Sequence, residues 1–307
     1  RLVYTRGNSS PANNLIRIEN LIYLRHSLAT LTGFDSFAAY SIQPYSLAQT
    51  PEAVTAFLHE MATELRPLVR QELDVLQKVK GEGAGRVRHW DRSYLMAKAR
   101  SELTQNGHEL ITEYLPLEGC LKGLDYVLNG TLGLRLLERP SSAEEAWAPG
   151  VRKFELAEQG DGEVFGTIYL DMLRRPNKFQ NAAHFNIRSG RRLSDGGYQS
   201  PVVALVCNFA SSACLTLREL ETLFHEFGHA LHSMLSRTHY QHLAGIRGAM
   251  DCMEVPSHLW QRFATDPRIL RAIGSHHISG DPIPEALLLN AQRSHDMFAA
   301  SDLQQLV

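Results

Sequence analysis

The chain has 307 residues, 44% of them hydrophobic and 21% charged, with a formal net charge of −2; this length and balance suit one large or two small globular domains and exclude a disordered, collagenous or repeat architecture. The near-neutral charge leaves no electrostatic footprint for nucleic acid or an anionic membrane, and the longest apolar run, "PVVALVCNF", is far below the ~18 residues of a membrane span. Four scattered cysteines (Cys120, Cys207, Cys214, Cys252) form no Cys-x-x-Cys pair and are expected to be reduced, buried or idle thiols.

The first residues, "RLVYTRGNSS", carry neither the apolar core of a secretory signal nor an arginine-rich amphipathic leader, and Arg1 is not an initiator. The far end, "FAASDLQQLV", stops inside a helical pattern, so the chain is expected to be an excerpt, incomplete at both ends. Apolar residues three and four apart predict helices over "NLIRIENLIYLRHSLATLTG" and "TPEAVTAFLHEMATELRPLVRQELDVLQKVKG". Thr50 is placed to cap the second, Pro51 opens it and Gly81 ends it, while Pro67 is expected to kink it or to start a new helix within it. After the loop "GEGAGRVRHWD", helix resumes through "YLMAKARSELTQ" and "LPLEGCLKGLDYVLNGTLG". The stretch "ERPSSAEEAWAPG" marks a change of character, dividing a helical part (1–140) from a mixed part (141–307). Three strands are predicted beyond it, "VFGTIYLDML", "AAHFNIRSG" and "PVVALVCNF", separated by turns such as "SDGGYQ". The expected fold is mainly α, with one small β-sheet just ahead of the helix that follows.

That helix, "LTLRELETLFHEFGHALHSML", holds the chemistry. Thr216 and Glu219 form a Thr-x-x-Glu capping box, which starts the helix at Leu217. His225 and His229 stand four apart, so both imidazoles occupy one face a turn apart and can converge on a single ion. Glu226 stands beside the first of them, close enough to take a proton from water without serving as a ligand. This is the His-Glu-x-x-His arrangement in which zinc acidifies water and the glutamate accepts its proton. Ionisable side chains on an otherwise apolar helix face are costly without such a purpose.

Two histidines and a water leave a tetrahedral site one protein ligand short. His232 lies two turns beyond His225, about 10 Å along the axis, too far to join the same ion; it reads as a core histidine or as outer support for the ligands. The helix has no glycine three residues past His229 to turn the chain back, so the third ligand has to come from another segment. The predicted helix "DCMEVPSHLWQRF" offers Glu254 as its best carboxylate, with Asp251 one turn earlier as an acceptor for the outer N–H of a ligand histidine.

The stretch "LFHEFGHALHSMLSRTHYQHLAGIRGAMDCMEVPSHL" resembles the thimet oligopeptidase family of zinc metallopeptidases, and "HSMLSRTHYQH" is most similar to its mitochondrial branch. "HWDRSYL", "EYLPLEGCLKGLDYVL", "FGTIYLDMLRRPNK" and "PVVALVCNF" extend the likeness over nearly the whole chain. The resemblance implies a zincin-like fold of the gluzincin type, one Zn(2+) per chain held by His225, His229 and Glu254, and Glu226 as general base. It also implies that the helices of residues 1–140 wall a channel for peptides and unfolded chain ends, and that residues 141–307 are the catalytic part without the family's C-terminal substrate-binding loop. Family members commonly carry a glutamate where this chain has Gln261. An extended substrate would pair beside "PVVALVCNF" or a neighbouring edge strand, unless those strands are simply core. The mitochondrial likeness implies a matrix metalloendopeptidase, monomeric, that removes a short N-terminal peptide from imported precursor proteins. A cytosolic (cytoplasmic) oligopeptidase degrading free peptides shares every one of these residues, and an inactive zinc-stabilised binding protein is the reading from a different class.

Overall fold

The computed structural model describes residues 11–104, 111–142, 144–160, 162–210 and 214–305. The first ten residues, inspected above for a leader, and the last two lie outside the described residues. The chain is mostly helical with a small mixed sheet, and it divides into two compact units, one of residues 1–105 with 294–307 and one of residues 106–293.

The first unit holds helices α1 (Pro11–Leu31), α2 (Phe37–Ile42), α3 (Pro51–Lys80) and α4 (Arg92–Thr104). The ends of α3 follow the sequence expectation: the Thr50 hydroxyl accepts from the Ala53 N–H at 3.1 Å, Pro51 is the first helical residue, and Gly81 closes the helix at a positive φ of 94°. No new helix starts at Pro67; α3 runs through it as one 30-residue helix. Leu76 of α3 packs with Leu95, Met96 and Ala99 of α4 in a small core.

The second unit carries the sheet. Helix α5 (Leu117–Leu132) buries Cys120, Leu121, Leu124, Val127 and Leu128 and stops at Gly133, whose left-handed φ of 68° turns the chain directly into β1 (Leu134–Arg139). β2 (Arg152–Glu158) and β3 (Val164–Leu173) follow, then β4 (Ala183–Arg188), the two-residue strands β5 (Arg191–Arg192) and β6 (Tyr198–Gln199), and β7 (Val202–Phe209). The main sheet has the order β1-β2-β3-β7-β4; β3 and β7 are parallel and the other neighbours antiparallel. All three predicted strands are present, and β1 and β2 are additional. They pair from Leu134↔Glu158 to Arg139↔Lys153. The composition break near residue 140 is therefore the connection between two paired strands within the second unit, and α5 and β1 belong with the sheet rather than with the helices before them.

β7 is bonded on both sides and reads as an almost unbroken buried run, as a central strand should. A substrate strand cannot add beside it, which corrects one of the two placements considered above; the edge next to it is β4. Helix α6 (Leu217–Leu235) lies against β3, β4 and β7 and buries Leu220, Leu223, Phe224, Phe227 and Leu231 in the main core. Its N-terminus shows the expected capping box, with the Thr216 hydroxyl accepting from the Glu219 N–H and the Glu219 carboxylate accepting from the Thr216 N–H at 2.8 Å.

The single helix predicted over 251–263 is two, α7 (Met250–Met253) and α8 (Val255–Phe263), meeting at Glu254. Pro256 explains the break, since it has no N–H to continue α7, yet suits the first turn of a new helix. Helices α9 (Pro267–Ile273), α10 (Glu285–Asp296) and α11 (Ala299–Gln304) complete the chain, the last in the first unit, where Ala300 packs on Leu65 and Val69 of α3.

The four cysteines are free. Burial pushes the Cys120 thiol up to about 12, so it is inert in ordinary conditions. Among the described residues, no helix is long and apolar enough to cross a membrane.

Candidate metal centre

Helix α6 presents His225 and His229 on the same side, their rings 5.0 Å apart between centroids and nearly perpendicular. The junction between α7 and α8 brings Glu254 opposite, with its Oε2 3.3 Å from His225 Nε2 and 3.2 Å from His229 Nε2. Ligand atoms of the three side chains all lie within 4.8 Å of one another, and among the described residues no other group of three His, Cys, Asp or Glu side chains converges in this way. His232 is outside the group, as its axial offset requires. The donor chemistry, two imidazole nitrogens and one carboxylate oxygen with the remaining direction left over, fits a catalytic zinc site.

Close approach of the two backbones makes this possible. A Cβ at Gly228 would stand 2.6 Å from Ser257 Cα and 2.8 Å from the Pro256 carbonyl oxygen, so any larger residue between the two histidines would push α8 away. Ser257 then donates to Glu254 Oε2 at 2.8 Å and holds the carboxylate in place. On the far side of the first histidine, Gln261 Oε1 lies 3.0 Å from His225 Nδ1 and 3.2 Å from His258 Nδ1. Asp251 was expected to serve the outer nitrogen of a ligand histidine; at His225 that place is taken by Gln261. The outer nitrogen of His229 is buried and makes no hydrogen bond.

Burial lowers the pKa of His229, with the charges of His225 and His232 adding to it against that of Glu254. Burial alone likewise lowers His232. His184, on β4 and 6.4 Å from His229 between ring centroids, is depressed to about 4 by burial and by the charges of His229 and His232. Neutral rings are what a metal requires. For Glu254 burial works upward, but the Ser257 hydroxyl and the charges of His229, His225 and His258 hold its carboxyl below the usual range. Glu226 goes the other way: burial raises it, aided by Glu254 and opposed by His225 and by the main-chain N–H of His184. The surroundings thus shift the two glutamates in opposite directions, Glu254 down and Glu226 up.

Sequence reasoning placed His225, His229 and Glu254, and the structure brings their ligand atoms together; Glu226 follows His225 in the chain and is outside that group. It missed Ser257, Gly228 and His184. Ser257 at three residues past Glu254 carried a local signal, being one turn on; Gly228 and His184 matter only through what stands opposite them.

The pattern of Peptidase family M3 matches residues 2–307. The chain is 38% identical to a mitochondrial intermediate peptidase of Arabidopsis thaliana over all of its own length and 44% of the relative's. Against the mitochondrial intermediate peptidases of Mus musculus and Homo sapiens it is 35% and 34% identical, covering 95% of this chain and 42% of each relative. It therefore spans less than half the length of these relatives.

Proposed function

The chain belongs to Peptidase family M3, a metallopeptidase family, and on that footing we propose that it is the zinc-binding part of a mitochondrial metalloendopeptidase. The convergence of His225, His229 and Glu254 within 4.8 Å is the observation that carries this reading. The third ligand being a glutamate on a separate helix supports a gluzincin-type zincin site. A zinc ion bound by these three side chains would supply Lewis acidity and lower the pKa of water at the open position.

The chain's own groups supply the rest. Glu226, outside the ligand set and raised by burial, accepts the proton of the attacking water and returns it to the leaving amine. The main-chain N–H of His184 favours its charged form. β4 is an edge strand of the sheet, so its outer main-chain groups are open to a further strand. A peptide laid there as an added strand would be held by main-chain hydrogen bonds, with little demand on its side chains, and would pass beside Glu226. Such recognition suits extended N-terminal segments of precursor proteins, which we take as the substrates, with the matrix as the compartment and the monomer as the acting form; the names of the relatives support a mitochondrial peptidase. In this reading the helices ahead of α5 contribute walls of the substrate channel, and the part that carries the sheet and helices α6 to α8 is catalytic.

The activity belongs to the whole protein, and the test uses it. Full-length Glu226→Gln protein is expected to retain zinc while losing hydrolysis of a fluorogenic peptide by several orders of magnitude, because an amide cannot accept the proton. Loss of the metal in Glu226→Gln would reverse the roles assigned to the two glutamates.

A further inference from the structure

We propose, resting on His225 as a metal ligand, that Gln261 is a positioning residue whose side-chain amide controls metal loading by selecting the tautomer of His225. One amide oxygen serves two rings: Gln261 Oε1 is 3.0 Å from His225 Nδ1 and 3.2 Å from His258 Nδ1. The rings stand edge to face, 5.1 Å apart between centroids with an interplanar angle of 74°. An amide oxygen can only accept, so in this arrangement both rings carry their proton on Nδ1. Neutral His225 then has a bare lone pair on Nε2, the atom that faces Glu254, and this is the ligating form.

A neutral amide has a second choice. Turned by half a rotation, Gln261 presents its NH2 group to the same two Nδ1 atoms and donates to them. The proton of His225 then sits on Nε2, and Glu254 Oε2, 3.3 Å away, is placed to accept it. His225, Gln261 and Glu254 each keep a partner, yet the ligating lone pair is gone. The metal-free site can thus be arranged in two ways, of which only the first presents that lone pair to a metal, and the apparent affinity falls with the competent fraction. A carboxylate at this position has no donor to offer and would hold His225 in the ligating state permanently. His258, bonded to the same oxygen, changes tautomer together with His225.

The test is made on the full-length protein, stripped of metal and labelled with nitrogen-15 in histidine. Two-bond nitrogen–proton correlations report the tautomers of His225 and His258, and competition with a chelator gives the zinc Kd. Wild type is expected to show both tautomers at His225 and to collapse to the Nδ1–H form on adding zinc. Gln261→Glu should show that form alone without metal and bind zinc about tenfold or more tighter; Gln261→Met, which can neither donate nor accept strongly, should bind about tenfold or more weaker. A metal-free wild type wholly in the Nδ1–H form, with one zinc Kd shared by all three proteins, would overturn the proposal. Wild type that takes up no zinc would remove the metal reading instead, and the metal-free tautomers of the three proteins would still decide whether Gln261 sets the ring.

Discussion

Gly228→Ala is the smallest change that should disturb the candidate site without touching any of its polar groups. The added methyl would sit 2.6 Å from Ser257 Cα, 2.8 Å from the Pro256 carbonyl oxygen and 3.1 Å from the Pro256 carbonyl carbon, all of them backbone atoms. Backbone cannot swing aside as a side-chain tip can, so α8 must retreat from α6 by about 0.8 Å to restore ordinary contact, an overpacking strain of ~1–3 kcal/mol. Alanine gains about 1 kcal/mol over glycine as a helix former, so the net change in stability is expected to be small. The effect on the metal is not small, because metal–ligand distances tolerate only about 0.2 Å and Glu254 precedes the displaced helix directly. Zinc Kd, measured by chelator competition on the full-length protein, should rise at least about tenfold while the melting temperature moves by a few degrees. Unchanged zinc affinity with an unchanged melting temperature would refute the idea that the close approach at Gly228 sets the position of Glu254.

Other substitutions separate the roles further. His229→Ala should abolish tight zinc binding by leaving two protein ligands, and equal zinc retention in mutant and wild type would remove the site. Glu254→Gln should weaken zinc binding and leave Glu226 in place, as read by metal content after dialysis. Asp171, buried in β3, accepts from Arg175, Lys178 and the Trp147 ring, and these bonds outweigh its burial and hold its pKa at about 2. The folded value lies below that of the unfolded chain, so its stabilisation is present above about pH 4 and is lost as pH falls toward 2. Acid unfolding followed by circular dichroism should show this loss in wild type and not in Asp171→Asn. At neutral pH Asp171→Ala should cost ~3–5 kcal/mol, because the buried ammonium of Lys178 loses its counter-ion; a denaturant midpoint equal to that of wild type would contradict it.

What the sequence made legible was whatever acts through neighbours along the chain. The capping box at Thr216 and Glu219, the one-turn spacing of His225 and His229, and the Thr50–Pro51 start of α3 all appear in the structure where spacing put them. The apolar run of β7 signalled a strand, and it is one of the interior strands of the sheet. β1 escaped notice because six residues following Gly133 directly give no room for a periodic pattern, and β2 because it is short and lies next to a loop rich in Pro, Ser and Ala. Glu254 could be nominated as a carboxylate but not separated by spacing alone from its neighbours; the likeness to a family singled it out. Asp251 was assigned to a ligand histidine on the assumption of one continuous helix, which the break before Pro256 removes. Gln261 and Gly228 depend on contacts between α6 and α8, Gln261 with His225 and Gly228 with Ser257, and no local pattern carries such a contact.

The central claim is that one zinc ion lies between α6 and the α7–α8 junction. Anomalous diffraction across the zinc edge from crystals of the full-length protein measures this directly. One peak per chain is expected, about 2.0–2.2 Å from His225 Nε2, His229 Nε2 and a Glu254 carboxylate oxygen, with Glu226 beyond bonding distance. A zinc peak away from these three residues, or one ligated by Glu226 in place of Glu254, would contradict the account.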